Sequence, residues 1–284
     1  MLYNAALVLE GGAFRGQYTA GILDTFLAHH IEFKSVIGVS AGSLAGVNYV
    51  SKQYGRAANI NTAYRHDRHY ISMMRVFKKQ IINLDYLFED HGYDWLNFDE
   101  HAYTRSASHF TAVATSIDTG KAVTFTDPTG DDLVNALKAS SSMPLLSDPV
   151  ETSQGLCLDG GIANSIPYDI AMEQGFDKIV VVRTRESKYR KKPTNRAEIQ
   201  LYHRVYKDLP KFAKAAIHRP EMYNHQVSEV NRLANEGKIY NISPKKVVKV
   251  KRIEGNVKKI RKLYEQGKKE GEEYLPGLIK YLEK

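Results

Sequence analysis

Apolar residues along this chain fall into short runs that stop at glycine, separated by stretches with helical spacing. Ala5-Ala6-Leu7-Val8-Leu9 is a continuous apolar run ended by Glu10-Gly11-Gly12, which predicts a buried strand closing in a tight turn. From Gln17 to His29, Ala20, Ile22, Leu23, Phe26 and Leu27 recur at helical spacing. Ser35-Val36-Ile37-Gly38-Val39 predicts a second buried strand, running through Ser40 into a helix-compatible segment from Ala41 to Lys52. Strand, glycine turn and helix, twice over, is the βαβ pattern of a parallel sheet covered by helices.

Further along, Phe110 to Ile117 and Ala122 to Phe125 predict a hairpin around Asp118-Thr119-Gly120. Asp131 to Ala139 predicts a short helix, its Asp pair suited to the positive N-terminal end. Leu156-Cys157-Leu158 is a brief strand running into Asp159-Gly160-Gly161, and Pro167 opens a helix to Gln174. Ile179-Val180-Val181-Val182, within Lys178 to Thr184, predicts a central strand buried on both faces. Residues 56–109 are polar, aromatic and rich in His without a strong period, and are read as a mostly helical insertion. After Arg185 the character changes. A basic connector from Ser187 to Thr194 leads to helices carrying Ile199, Tyr202, Val205, Tyr206 and Leu209. A strand-like Lys238 to Ile242 and an alternating Val247-Val248-Lys249-Val250 follow. Ile260 to Tyr281 predicts an amphipathic helix interrupted near Pro276-Gly277. The expected organisation is a main domain over residues 1–184 and a small α+β extension over 185–284 resting on the main sheet.

Composition narrows the class. With 43% hydrophobic and 25% charged residues over 284 positions the chain is globular, which excludes disordered and collagen-like readings. It contains no apolar run long enough for a membrane-spanning helix, and Met1-Leu2-Tyr3-Asn4 does not open a secretory signal, so a cytoplasmic protein is expected. The lone Cys157 excludes an internal disulfide and a cysteine-based zinc cluster. Charge is uneven. Residues 1–184 carry 14 Lys and Arg against 20 Asp and Glu, whereas residues 185–284 carry 26 against 12. A solvated helical surface accounts for such a block, and so does a polyanion or an anionic membrane as partner.

Three segments could carry chemistry. Gly38-Val39-Ser40-Ala41-Gly42 is a G-x-S-x-G set between a strand and a helix, where a serine on a strained turn stays open to substrate between small neighbours. The helix N-terminus beside it favours a developing oxyanion. Gly11-Gly12-Ala13-Phe14-Arg15-Gly16 allows backbone N–H groups to approach an anion. Its G-G-x-x-x-G spacing departs from the dinucleotide fingerprint, and the second strand ends in Ser40 where that fingerprint needs an acid. Asp159-Gly160-Gly161 is either an ordinary turn or a carboxylate held on a rigid turn as a general base. Of the histidines late in the chain, His203, His218 and His225 are the candidates to complete a triad with Ser40, giving an esterase for small soluble esters. His66-Asp67-Arg68-His69 lacks the spacing of a helical metal site, so no metal is assigned. A non-catalytic, polyanion-binding protein is a further reading, although the basic region carries no recognisable nucleic-acid fold and nucleic acid is not an expected partner.

These segments together resemble the patatin-like phospholipase family. The resemblance runs from Leu9-Glu10-Gly11-Gly12-Ala13-Phe14-Arg15-Gly16 through Gly38-Val39-Ser40-Ala41-Gly42 to Asp159-Gly160-Gly161, with Ala139-Ser140-Ser141-Ser142-Met143-Pro144 similar to the family's segment before its aspartate. It implies a three-layer α/β/α sandwich with a mostly parallel central sheet. It further implies a Ser40–Asp159 dyad that hydrolyses lipid esters through an acyl–Ser40 intermediate, without metal or organic cofactor. Amides around Gly11, Gly12 and Ala13 would form the oxyanion hole, with Arg15 and Gly16 ordering the loop. Ala13 departs from the family's third glycine, and a methyl group there requires φ below zero or modest strain. The +14 region would dock the protein peripherally on anionic membrane.

Overall fold

A computed structural model describes residues 1–63, 66–67 and 98–284. The strands are β1 (Leu2–Leu9), β2 (Glu32–Val39), β3 (His109–Ser116), β4 (Ala122–Thr126), β5 (Val150–Thr152), β6 (Gly155–Asp159), β7 (Ile179–Val182) and β8 (Ile239–Ile242). The helices are α1 (Gly16–Ala28), α2 (Ala41–Val50), α3 (Arg56–Ala63), α4 (Glu100–Thr104), α5 (Gly130–Ser141), α6 (Tyr168–Glu173), α7 (Arg196–Val205), α8 (Pro210–Asn235) and α9 (Val257–Leu282). All the strands join one sheet in the order β5-β6-β3-β2-β1-β7-β8, with β4 paired to β3. The pairs β3–β2, β2–β1, β1–β7 and β7–β8 are parallel, while β4, β5 and β6 pair antiparallel.

Alternate residues of the central strands feed two cores, as the period of a strand requires. Leu7 and Leu9 of β1 and Val180 and Val182 of β7 face a core shared with Tyr18, Ile22 and Phe26 of α1 and Leu263, Leu275 and Leu278 of α9. Ala6, Val8, Ile179 and Val181 face the other side, against Tyr223, Val227, Val230 and Leu233 of α8. Helices on both faces of a mostly parallel sheet make the expected three-layer α/β/α sandwich. Each fully buried large apolar side chain contributes about 1.5–3 kcal/mol, which is why the central strands read as unbroken apolar runs.

Residues beyond 185 join the same sheet. β8 lies parallel to β7, with Val180 opposite Tyr240 and Val182 opposite Ile242. α9 crosses α1 at backbone distance: a Cβ on Gly267 would lie 2.2 Å from the Tyr18 carbonyl oxygen, and one on Gly21 2.3 Å from that of Tyr264. Tyr18 donates to Glu270 at 2.9 Å and Tyr264 to Asp24 at 2.7 Å across the same crossing.

Two expectations change. α9 runs unbroken through Pro276, because Leu275, Leu278 and Tyr281 on either side are anchored in the core and their burial outweighs the roughly 3 kcal/mol that an interior proline costs. Val248 and Val250 are buried while Val247 and Lys249 are exposed, so the alternation is real, but the segment pairs with no strand among the described residues. Of the expected insertion over 56–109, α3, α4 and the start of β3 are described; residues 64–65 and 68–97 lie outside the described residues.

Candidate active site

The serine and the aspartate meet because β3 holds the strands that carry them end to end. Val39, the last residue of β2, pairs with Val113; Asp159, the last residue of β6, pairs with the adjacent Ala114. β4 occupies the opposite edge of β3, so the C-terminal ends of β2 and β6 converge along one edge. Ser40, immediately after β2, donates its hydroxyl to Asp159 Oδ2 at 2.9 Å. Ser40 is 6% and Asp159 5% exposed.

Ser40 occupies φ 56°, ψ −123°, a strained conformation for a residue with a side chain, of a kind that costs about 1–3 kcal/mol. Its surroundings over-determine it. The Ser40 N–H donates to Ser140 Oγ at 2.8 Å, and Ser140 in turn donates to the Val113 carbonyl at 2.7 Å. The Ser40 carbonyl accepts from Ser43 Oγ at 2.7 Å and from the N–H groups of Ser43 and Leu44 that open α2. The motif glycines permit the turn by their lack of a side chain: a Cβ on Gly42 would stand 2.3 Å from the Leu9 carbonyl oxygen, and one on Gly38 2.6 Å from the Gly42 backbone.

Asp159 is fixed through its other oxygen and its backbone. Oδ1 accepts the Gly161 N–H at 2.7 Å, the Asp159 N–H donates to the Ser142 carbonyl at 2.8 Å, and Thr115 donates to the Asp159 carbonyl at 2.9 Å. Gly160 and Gly161 begin the short helical turn Gly160–Ile162. Arg219 of α8 donates through Nε to the Gly161 carbonyl at 2.7 Å. Burial lowers the proton affinity of that guanidinium, and the Asp159 charge acts against the shift.

Across the cavity runs the glycine loop. Gly11 donates its N–H to Ser165 at 3.3 Å, Phe14 to Arg252 at 3.4 Å and Arg15 to Gly12 at 3.1 Å. Among the described residues the N–H groups of Gly12 and Ala13 take no partner. Ala13 adopts φ 48°, so its methyl group is carried at a left-handed position at modest strain, and Gly16 begins α1. The loop hangs from Glu10, which is buried at the end of β1. Glu10 accepts from the Thr184 N–H at 2.6 Å and from the Tyr223 hydroxyl at 2.8 Å. Burial first and the Glu10 charge second push the Tyr223 phenol upward, so it remains a neutral donor.

These groups line one cavity of about 480 Å³, within the range of small-molecule pockets. Gly11, Gly12, Ala13, Arg15, Ser40 and Asp159 all face it. Gly16, Gly38, Gly42, Gly160 and Gly161 do not line it and act in the turns behind. His203, His218 and His225, on α7 and α8, do not line it either; His218 lies 3.5 Å from Glu221 at the surface. Of the segment from His66 to His69, only His66 and Asp67 are described, and no group of three His, Cys, Asp or Glu gathers as a metal site among the described residues. Sequence reasoning missed the other side of the cavity, formed by Arg185, Lys191, Tyr202, Arg219 and Arg252. Their only signal was the basic excess after Arg185.

A strained serine stands at a strand-to-helix elbow, bonded to a buried carboxylate, on the sheet of a three-layer α/β/α sandwich. The chain belongs to the patatin-like phospholipase family, whose description, Patatin-like phospholipase, matches residues 7–172. Residues 209–283 match a domain of unknown function (DUF6363). The uncharacterized protein YjjU of Escherichia coli K12 is 31% identical over 183 residues, which are 63% of this chain and 51% of that protein. The chain's match thus spans about half the length of that relative. The probable lipid hydrolase 463L of Invertebrate iridescent virus 6 is 25% identical over 222 residues, 66% of this chain and 72% of that protein. The crystal structure of VipD from Legionella pneumophila aligns with a TM-score of 0.46 at 9% identity, covering 99% of this chain and 67% of that one.

Proposed function

We propose that the protein is a serine acyl hydrolase acting on lipid esters through a Ser40–Asp159 dyad. The observation that carries this reading is the 2.9 Å hydrogen bond from the Ser40 hydroxyl to Asp159 at the wall of the cavity. Family membership and the viral relative described as a probable lipid hydrolase support it. Asp159 accepts the Ser40 proton as Oγ adds to the ester carbonyl carbon, and the carbonyl oxygen becomes an oxyanion. The unpartnered N–H groups of Gly12 and Ala13 receive that oxyanion, with Arg15 close by as a positive charge. Collapse expels the alcohol, which takes the proton from Asp159 and leaves an acyl–Ser40 ester. Water then enters, Asp159 takes its proton as its oxygen bonds the acyl carbon, and the bond to Ser40 Oγ breaks as Asp159 returns the proton to it, releasing the fatty acid. Exposed Arg190 and Lys192 on the cavity lining favour docking at an anionic membrane, each contributing about 1 kcal/mol at such a surface.

A fluorophosphonate should form a stoichiometric adduct on Ser40, mapped by peptide mass. Ser40→Ala and Asp159→Asn should each abolish ester hydrolysis while retaining a cooperative melt. Hydrolysis retained by either folded variant would refute the dyad. Sedimentation with phosphatidylglycerol vesicles at low salt tests the docking, and a protein left wholly in the supernatant would exclude it.

A further inference from the structure

The hydrolytic scheme uses one wall of the cavity and leaves a cluster of cations on the other. Arg185, Lys191, Arg219 and Arg252 come from the chain after the sandwich's first seven strands and face Arg15 of the glycine loop. The three carboxylates of the cavity make their hydrogen bonds to other groups. Asp159 is held by Ser40 and Gly161, Glu10 by Thr184 and Tyr223, and Glu198 caps α7. Asp159 supports the Arg219 charge and Glu10 those of Lys191 and Arg15 from a distance, while the groups in direct contact with Lys191 and Arg185 include aromatic rings. Lys191 Nζ stands 3.8 Å from the centre of the Tyr223 ring, and the Arg185 guanidinium 4.5 Å from that of Tyr189. Arg219 bonds a carbonyl, and the Nε atoms of Arg15 and Arg185 are buried with no hydrogen-bond partner.

We propose that this cluster seats the phosphate of a lipid headgroup that carries net negative charge, presenting the acyl ester of that lipid to Ser40. The proposal rests on the reading of Ser40 as nucleophile and names the substrate class for it. Like charges gathered along one cleft repel one another, and a phosphate relieves that repulsion. Guanidinium forks match phosphate oxygens in geometry as well as in charge. The repulsion is legible in the groups themselves. Burial, then the Arg219 charge, and behind them Arg252 and Arg15, lower the Lys191 ammonium well below its ordinary range. Burial, then Arg185 and Arg252, lower Arg15 to about 10. A choline or ethanolamine headgroup would carry its own cation against the same cluster, so the site discriminates by repulsion as well as attraction.

The test uses short-chain lipids below their aggregation threshold, so that docking on a bilayer is not what is read. Calorimetry on Ser40→Ala protein compares dihexanoyl phosphatidic acid, dihexanoyl phosphatidylcholine and inorganic phosphate. Phosphatidic acid should bind at least tenfold more tightly than phosphatidylcholine, and Lys191→Met and Arg252→Ala should each remove most of that preference. The same ratio in kcat/KM is expected of the wild-type protein. Equal or tighter binding of phosphatidylcholine would overturn the proposal. So would inorganic phosphate binding as tightly as phosphatidic acid, which would make this a site for a soluble anion. If wild-type protein hydrolyses no ester, p-nitrophenyl butyrate included, the hydrolase reading fails, while the binding comparison still decides whether the headgroup site exists.

Discussion

Ser40 holds a backbone conformation that only its neighbours make tenable. Ser140 is the principal brace, since it accepts the Ser40 N–H and anchors itself on β3. Ser140→Ala leaves a buried donor unpaired, at a cost of about 1–3 kcal/mol. We expect a lower melting temperature together with a loss of kcat beyond tenfold; an unchanged kcat would mean that the elbow does not depend on this bond. Ala13 is the reverse case, a methyl group carried at positive φ. Ala13→Gly relieves about 1 kcal/mol of local strain and loosens the unfolded chain by a similar amount, so stability should hold within about 1 kcal/mol. Ala13→Val should lose most activity, because a β-branched residue resists that φ. A Val variant of wild-type activity would show that the loop tolerates another backbone path. Lys191 brings in pH. Burial first lowers its proton affinity in the free cavity; Arg219, and behind it Arg252 and Arg15, oppose its charge as well, while Glu10 supports it and Tyr223 lies against its ammonium. A bound phosphate raises the proton affinity by offsetting the neighbouring cations, so binding is coupled to proton uptake and weakens as pH rises through the lowered value. Calorimetry in buffers of different ionisation enthalpy reads this coupling, at about pH 8 or above, where the phosphate monoester has already lost its second proton. Proton release on binding would contradict it.

Among the elements, close backbone contacts decide more than propensity does. The Gly38 and Gly42 positions were legible because the motif itself announces a turn that excludes side chains. Gly267 was not, for nothing in a helix sequence says that another helix lies 2.2 Å from its missing Cβ. Gly267→Ala must push α9 off α1, and a destabilisation of about 1–3 kcal/mol is expected from overpacking. Chemical denaturation measures it; a variant as stable as the wild type would mean that the crossing is slack. Pro276 misled in the other direction. A proline in an amphipathic run signals a break from local chemistry alone, and the outcome here is set by core residues on both of its sides. The pairing of Asp159 with Ala114 beside Val113 was equally hidden, because antiparallel β6 takes up the edge of β3 where parallel β2 leaves off. Local pattern indicated the two strands, and only the resemblance joined their ends.

For the whole molecule, the excess of basic residues after Arg185 divides by position. Lys188, Arg190 and Lys192 are exposed, whereas Arg185, Lys191 and Arg219 are partly buried along the cavity. A basic helix reads the same in sequence whether its charges face solvent or a cleft, which is why the half of the site made by α8 and its neighbours escaped notice. The chain after residue 184 also completes the sheet and covers α1. A protein cut after Thr184 would expose the β7 edge and the apolar face of α1, and it should accumulate as aggregate. Recovery of a soluble, cooperatively melting fragment would show that the rest is dispensable for folding.

The meeting of β2 and β6 on β3 has a consequence in time. Ser40 and Asp159 are 119 positions apart, and the cations of the opposite wall emerge from the ribosome later still. Under the proposed dyad the serine stays an unactivated alcohol during synthesis until β6 has docked, and the cleft has no electropositive wall until α8 and the Arg252 segment have folded over it. On the proposed reading, hydrolytic activity would therefore arise only after the chain beyond β7 has folded over the cleft.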